Sequence, residues 1–130
     1  MRKYVLLSLL LVMVATVAGA KKKNDDGKAV VNFKEVVWDF GTIANDKPAS
    51  HDFEFVNDGT GNLVILNATA ECGCTRPEYP DKPVAPGKKG KVKVTYNPVG
   101  RPGSFEKTVT VKTNGDPKKV RLKIRGTVAP

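Results

Sequence analysis

The sequence predicts an all-β domain, built as a β-sandwich of about seven strands. Apolar and polar residues alternate over short segments, which is the pattern of half-buried strands. Clusters of Gly, Pro, Asn and Asp separate these segments about every ten residues. The same glycines and prolines interrupt every segment long enough for a helix, so no sustained helical period remains.

The predicted strands begin near residue 30 and continue to the end of the chain. The first region ends in Asp39-Phe40-Gly41-Thr42-Ile43, and the next holds Phe53 and Phe55 at alternate positions. Residues 63–66 are apolar at every position, which predicts a central strand covered on both faces. The predicted segments are residues 30–38, 52–55, 63–66, 91–96, 105–112 and 120–128.

The same alternation predicts the hydrophobic core. Residues two apart in a strand face the same side of the sheet, so the apolar member of each alternating pair is expected to be buried. The predicted core residues are Phe40, Phe53, Phe55, Leu63, Ile65, Val92, Val94, Tyr96, Val109, Val111, Leu122 and Ile124.

Both cysteines lie in one motif, Cys72-Gly73-Cys74-Thr75, within a long connection of residues 71–90. That connection contains four prolines. Because proline lacks an amide donor, regular strand pairing is not expected through most of it. We take the motif as the candidate functional site, with a redox, metal-binding or structural role.

Three interpretations of the Cys72-Gly73-Cys74 pair remain open. A disulfide fits, since Cα atoms two positions apart lie about 5.5–7 Å from each other and glycine permits the bend. Closing so small a ring stabilises the fold by about 1.6 kcal/mol, and a strained bond is easily reduced. Alternatively, both residues simply pack in a turn. Two thiolates with His51 as a third ligand could instead hold Cu(I) or zinc. Chemistry ranks these in the order disulfide or redox-labile pair, packing, metal.

Residues 1–20 have the form of a secretory signal peptide. Arg2 and Lys3 precede an apolar run of about fourteen residues, shorter than the roughly twenty that span a bilayer. Ala18-Gly19-Ala20 fits the small-x-small cleavage rule. We therefore expect a mature chain that starts at Lys21 and is periplasmic or secreted, in a compartment that favours the disulfide.

The mature chain is expected to form one domain. Residues 21–28 are polar and predict a flexible leader, and residues 29–130 are enough for a single sandwich. Loss of Arg2 and Lys3 lowers the formal net charge of +9 by two, so the mature chain remains basic.

The basic residues concentrate late in the chain, at polar positions of the predicted strands. They could form one positive face that attracts anionic polymers or lipid headgroups. We favour a solvated face, because lysines also protect sheet edges and maintain solubility. Aromatic residues are not interleaved with them, so no nucleic-acid partner is expected. These residues are Lys88, Lys89, Lys91, Lys93, Lys118, Lys119, Arg121, Lys123 and Arg125.

Short motifs along the chain match one known family in residues and in order. The most specific are Asp39-Phe40-Gly41-Thr42-Ile43 and, later, Cys72-Gly73-Cys74-Thr75. Others are Phe53-Glu54-Phe55-Val56-Asn57, Leu63-Val64-Ile65, Val94-Thr95-Tyr96-Asn97, Gly103-Ser104-Phe105-Glu106-Lys107 and Leu122-Lys123-Ile124-Arg125-Gly126-Thr127-Val128. Over nearly the whole mature chain it resembles the exported bacterial family catalogued as domain of unknown function number fifteen-seventy-three.

The resemblance implies an immunoglobulin-like β-sandwich related to the Hydin and major sperm protein modules. Those relatives are mostly binding or scaffolding domains. The family motif carries over onto Cys72, Gly73, Cys74 and Thr75 without an assigned role. Many members begin at a lipid-anchored cysteine, and this chain departs from them because no cysteine follows the expected cleavage point.

The sequence favours a binding or scaffolding domain of the bacterial cell envelope over an enzyme. No catalytic residue, cofactor or further transmembrane segment is expected, and the partner would be an envelope protein or polymer. A lone histidine such as His51 more often packs or faces solvent than activates a nucleophile. The alternative is a thiol–disulfide or copper-handling protein that uses Cys72 and Cys74. The pair lacks the helix N-terminus that lowers thiol pKa values in Cys-x-x-Cys oxidoreductases.

Overall fold

The computed structural model describes residues 27–130. The expected signal peptide of residues 1–20, the cleavage point before Lys21 and nearly all of the expected leader lie outside the described residues. Within residues 27–130 every regular element is a strand, so the all-β prediction is confirmed. No helix in this part of the chain is long and apolar enough to cross a membrane.

The described residues form two sheets of four strands each. The strands are β1 (Val31–Phe33), β2 (Val37–Ile43), β3 (Ala49–Asn57), β4 (Ile65–Ala70), β5 (Thr75–Glu78), β6 (Lys89–Tyr96), β7 (Gly103–Thr113) and β8 (Lys119–Val128). The first sheet has the order β1-β3-β6-β5, and the second has the order β2-β8-β7-β4. This is the strand arrangement of immunoglobulin-like sandwiches, except that the first strand is divided into β1 and β2, one in each sheet.

The first predicted strand region is divided between the two sheets. β1 pairs antiparallel with β3, and the last bond to that sheet runs from the Lys34 N–H to the Glu54 carbonyl. β2 then pairs parallel with β8, starting where the Lys123 N–H donates to the Val36 carbonyl. The chain therefore changes sheets within residues 34–36, and the alternation of side chains does not reveal the change.

The predicted core is buried, apart from one residue. Phe40 is half-buried and packs from the margin, with its ring centroid 6.4 Å from that of Phe105. It precedes Gly41, which has φ of 66°, inside a register shift of β2 between Asp39 and Thr42. The shift breaks the two-residue period on which the prediction for Phe40 depended.

The prediction of a central strand at residues 63–66 is wrong. Leu63 is buried and forms an isolated antiparallel bridge with Val84 before β4 begins. β4 itself is an edge strand of the second sheet, and Leu66 is 55% exposed. A register shift between Ile65 and Asn67 turns the apolar run, so its members do not all face the core.

The connection of residues 71–90 contains more pairing than its prolines suggested. β5 forms there and pairs with β6 from Thr75↔Tyr96 to Glu78↔Lys93. Pro77 is accommodated because β5 is an edge strand of the first sheet, where a missing amide donor leaves no ladder bond unmade.

A buried amide fixes the turn after β3. Asn57 is 0% exposed. Its Nδ2 donates to the carbonyls of Gly61 (2.8 Å) and Val84 (2.9 Å). Its Oδ1 accepts from the N–H groups of Gly59 (3.0 Å) and Val30 (3.3 Å). One side chain thus bonds four backbone groups, and of these only the Val84 carbonyl has a second partner, the Leu63 N–H.

Candidate functional site

The cysteine motif lies where the chain crosses from one sheet to the other. β4 ends the second sheet, β5 ends the first, and residues 71–74 connect them. Cys72 and Cys74 form a disulfide, with Cα atoms 5.3 Å apart. The Thr75 N–H donates to the Cys72 carbonyl at 3.3 Å, which closes a tight turn around the pair.

The two sulfur atoms have different surroundings. Cys74 is 4% exposed and belongs to the core, whereas Cys72 is half-buried at its margin. Thr75 Oγ1 lies 3.5 Å from Cys74 Sγ and 3.9 Å from Cys72 Sγ. The Cys74 N–H donates to Cys72 Sγ at 3.3 Å. An external thiol could therefore reach Cys72 more readily than Cys74.

The buried side of the motif is held by the aromatic end of the core. The Asn97 N–H donates to the Cys74 carbonyl at 2.8 Å. Thr75 lies opposite Tyr96, whose ring stacks on Phe105 at a centroid distance of 3.9 Å. Tyr96 belongs to the first sheet and Phe105 to the second, so the motif sits against a contact that joins the sheets.

Glu71 anchors the other side of the crossover. Its Oε1 accepts from the Thr108 N–H at 2.8 Å, just beyond the last β4–β7 pair, Ala70↔Val109. A carboxylate thus continues the attachment of the chain to β7 after the regular ladder has ended. The crossover is held at both ends, which favours a structural role for the disulfide between them.

The structure does not bring His51 together with the two cysteines. His51 Nε2 contacts Glu35 Oε1, and its ring stacks on Trp38 at a centroid distance of 3.9 Å and meets Phe53 edge-on at 4.8 Å. No group of three or more His, Cys, Asp or Glu residues that could hold a metal occurs in residues 27–130. His51 instead packs beside residues 34–36, where the chain changes sheets, and the Trp38 ring covers the His51 ring.

The basic residues do not form one face. Those around β6 belong to the first sheet and those of β8 to the second, so the two groups lie on different sheets. On the first sheet Lys91 pairs with Asp52 at 3.5 Å. On the second sheet Lys123 pairs with Glu106 at 3.0 Å. A single positive face, considered from the sequence, is therefore wrong, because strand parity does not tell which sheet a strand joins.

Sequence patterns did not identify the open edge at β4. The sequence predicted a central strand for Leu66, the exposed apolar residue of β4. The order of strands in the sheet shows that β4 is an edge strand. An open hollow of about 400 Å³ lies beside this edge. It is lined by Thr69, Ala70, Glu71, Thr108, Thr110 and Arg121.

Comparison with known families agrees with the motifs in the sequence. The profile of the family described as "Protein of unknown function (DUF1573)" matches residues 31–128, which confirms the expected resemblance. No curated protein matches the chain.

Solved structures with the same fold come from several kinds of protein. A protein of unknown function from Porphyromonas gingivalis W83 has a TM-score of 0.67 at 15% identity, over 76% of this chain and 46% of that one. The ASH/PapD-like domain 7 of human CEP192 has 0.58 at 15%, over 78% and 86%. The YadV chaperone has 0.57 at 11%, over 77% and 52%. The chain spans about half of the Porphyromonas gingivalis protein. At these identities the likeness shows the fold alone.

Proposed function

The chain belongs to the family described as "Protein of unknown function (DUF1573)", and from this membership and the structure we propose that it is an exported domain that binds or scaffolds another component of the bacterial cell envelope. The observation that carries the proposal is the open edge of β4, where Leu66 is 55% exposed. Proteins usually cover or charge such an edge, because an unpaired strand readily joins another chain.

Export is supported by the N-terminal sequence, and the cysteine pair is compatible with it. Residues 1–20 carry the basic start, apolar run and Ala18-Gly19-Ala20 of a signal peptide. Cys72 and Cys74 form a disulfide, and disulfides persist in oxidising compartments such as the periplasm.

The fold relatives support a binding role by analogy. YadV is a chaperone, and the human CEP192 domain is PapD-like. Because one fold hosts many functions, this likeness raises the expectation of binding without naming a partner.

Thiol–disulfide exchange is a second candidate function, favoured by the half-exposed Cys72. In such a step an external thiolate attacks Cys72 Sγ, the bond between the cysteines breaks, and its electron pair leaves on Cys74 Sγ. Thr75 Oγ1, 3.5 Å from Cys74 Sγ, could donate to the departing thiolate. Copper handling would require prior reduction of both cysteines.

Native separation of an envelope extract tests the proposed function. The mature chain should start at Lys21 by mass spectrometry and should migrate in an assembly larger than the free domain. A chain that retains Met1 would contradict export. A chain that migrates entirely as the free domain, in the absence of detergent and at low salt, would contradict binding.

A further inference from the structure

We propose that β4 is a docking edge, to which an extended acidic segment of a partner protein adds as a further strand of the second sheet. This rests on the proposed binding function and names its surface and its partner class. The argument uses the free backbone of β4, the protection of the other edges, and the charges behind β4.

Within residues 27–130, strand β4 is paired on one side only. It pairs with β7 from Ile65↔Thr113 to Ala70↔Val109 and stands at the end of the second sheet. Alternate residues of a strand direct their backbone groups to opposite sides, so about half of them face the open side. Among residues 27–130, the backbone of residues 65–70 has no backbone partner outside the sheet ladder. The open side therefore offers the donors and acceptors that an extended segment needs.

The other edges carry protections that β4 shares only in part. β1 has three residues, and β5 has four with Pro77 among them. β2 is interrupted by its register shift, where Gly41 has φ of 66°. Short length, proline and bulges are the usual protections of an edge. β4 has six residues, Ile-Leu-Asn-Ala-Thr-Ala, without a charge, a glycine or a proline. Its own register shift lies at its start, between Ile65 and Asn67, and residues 67–70 pair with β7 without interruption.

Cations lie behind this edge on the same face. Thr69 pairs with Thr110, and Thr110 pairs with Arg121, so the three form one row across the second sheet. In residues 27–130 Arg121 has no ion pair. The carboxylate of Glu71 also lines the hollow, where it accepts from the Thr108 N–H and is an acidic group beside these cations. A carboxylate on the added strand, in the row of Thr69, would lie on the same face as Arg121, about 14 Å from it across β4 and β7.

The neighbouring row of paired residues on this face is also positively charged. Asn67 pairs with Lys112, and Lys112 pairs with Lys119. A second copy of this chain would bring another set of the same cations to the edge, whereas an acidic segment would neutralise them. Charge complementarity therefore selects an acidic partner segment over self-association.

Backbone NMR of the isotope-labelled mature chain tests this with three peptide probes. The first is a seven-residue peptide in which threonine and valine alternate around a central glutamate. The second has lysine in place of the glutamate. The third is the glutamate peptide with N-methyl groups on alternate residues, which removes its donors on one side. The glutamate peptide should shift the amides of β4, and it should bind about two- to tenfold tighter than the lysine peptide at low salt.

Two charge reversals complete the test. Arg121→Glu should abolish or invert the preference for glutamate over lysine. Lys93→Glu, an exposed residue of the first sheet with no ion pair in residues 27–130, is the matched control and should leave the preference unchanged.

The proposal is overturned if the glutamate peptide shifts no amide of β4, if the shifts centre on β2 or β3, or if the N-methylated peptide binds equally well. Concentration-dependent shifts of β4 without peptide would assign the edge to a second copy instead. If the peptides fail while the mature chain still migrates in a larger envelope assembly, the docking edge is wrong, and the proposed function then rests on the assembly and no longer on the β4 edge. A free domain in the envelope extract would instead contradict the proposed function.

Discussion

Cys72 and Cys74 share a disulfide but not an environment, since Cys74 is 4% exposed within the core and Cys72 is half-buried at its margin. Thr75 Oγ1 lies near both sulfur atoms. Packing therefore depends mainly on Cys74, and access from solvent mainly on Cys72. The difference allows the structural and the chemical roles of the motif to be measured separately.

The first prediction concerns packing. In reductant, which removes the disulfide from every sample, Cys74→Ser should lower the free energy of unfolding by about 1–3 kcal/mol, because it buries a hydroxyl. Cys72→Ser should lower it by less than about 1 kcal/mol. Urea unfolding followed by the fluorescence of Trp38 measures both. Equal losses of unfolding free energy, or a larger loss for Cys72→Ser, would show that the difference in burial between the two cysteines does not affect stability.

The second prediction concerns access. After reduction of the folded protein, a small alkylating reagent should modify Cys72 faster than Cys74, because Cys74 Sγ lies in the core. Peptide mass spectrometry over a time course gives the two rates. The reaction must be run without denaturant, since unfolding would expose both thiols. Faster modification of Cys74 would contradict the assignment of Cys72 as the reachable sulfur.

The third prediction concerns the buried amide of Asn57. Asn57→Ala should destabilise the fold by about 3 kcal/mol or more, because several buried backbone groups lose their partner. The control is Asn45→Ala, since Asn45 is exposed and its side chain makes one hydrogen bond within residues 27–130, to the Pro130 carbonyl. That change should cost less than about 0.5 kcal/mol. Similar midpoints for the two variants in urea would rule out a special role for Asn57.

The fourth prediction concerns the core of the first sheet. Phe55 is 2% exposed and packs against Phe33 at a centroid distance of 5.2 Å. Phe55→Ala should therefore cost about 3–5 kcal/mol. The exposed Val99→Ala, made in parallel, should be close to neutral. A loss below about 1 kcal/mol for Phe55→Ala would mean that the inward face of β3 is misassigned.

The core could be predicted from the sequence because alternation is a local property of each strand. Phe53 and Phe55 in β3, and Leu122 and Ile124 in β8, face inward as their spacing predicts. The prediction fails at Phe40, where the register shift around Gly41 interrupts the period. A bulge of this kind has no reliable signature in a single sequence.

Relations between strands could not be predicted in the same way. The position of Leu66 on an edge, and the separation of Lys93 from Arg121 on different sheets, depend on which strands become neighbours. The division of the first strand region at residues 34–36 is of the same kind. At the candidate site, the spacing of Cys72 and Cys74 suggested a bridge, but only the fold shows that Cys74 faces the core.

Photo-cross-linking in intact producing cells tests the central claim most directly. The photoreactive p-benzoylphenylalanine replaces Leu66 on the β4 edge in one variant and Val99 in the other, because both side chains are 55% exposed. We predict that illumination yields one discrete adduct for the Leu66 variant, on mature chain starting at Lys21, and none for the Val99 variant. Absence of an adduct at Leu66, or the same adduct at both positions, would contradict the claim that this exported domain binds a partner at β4.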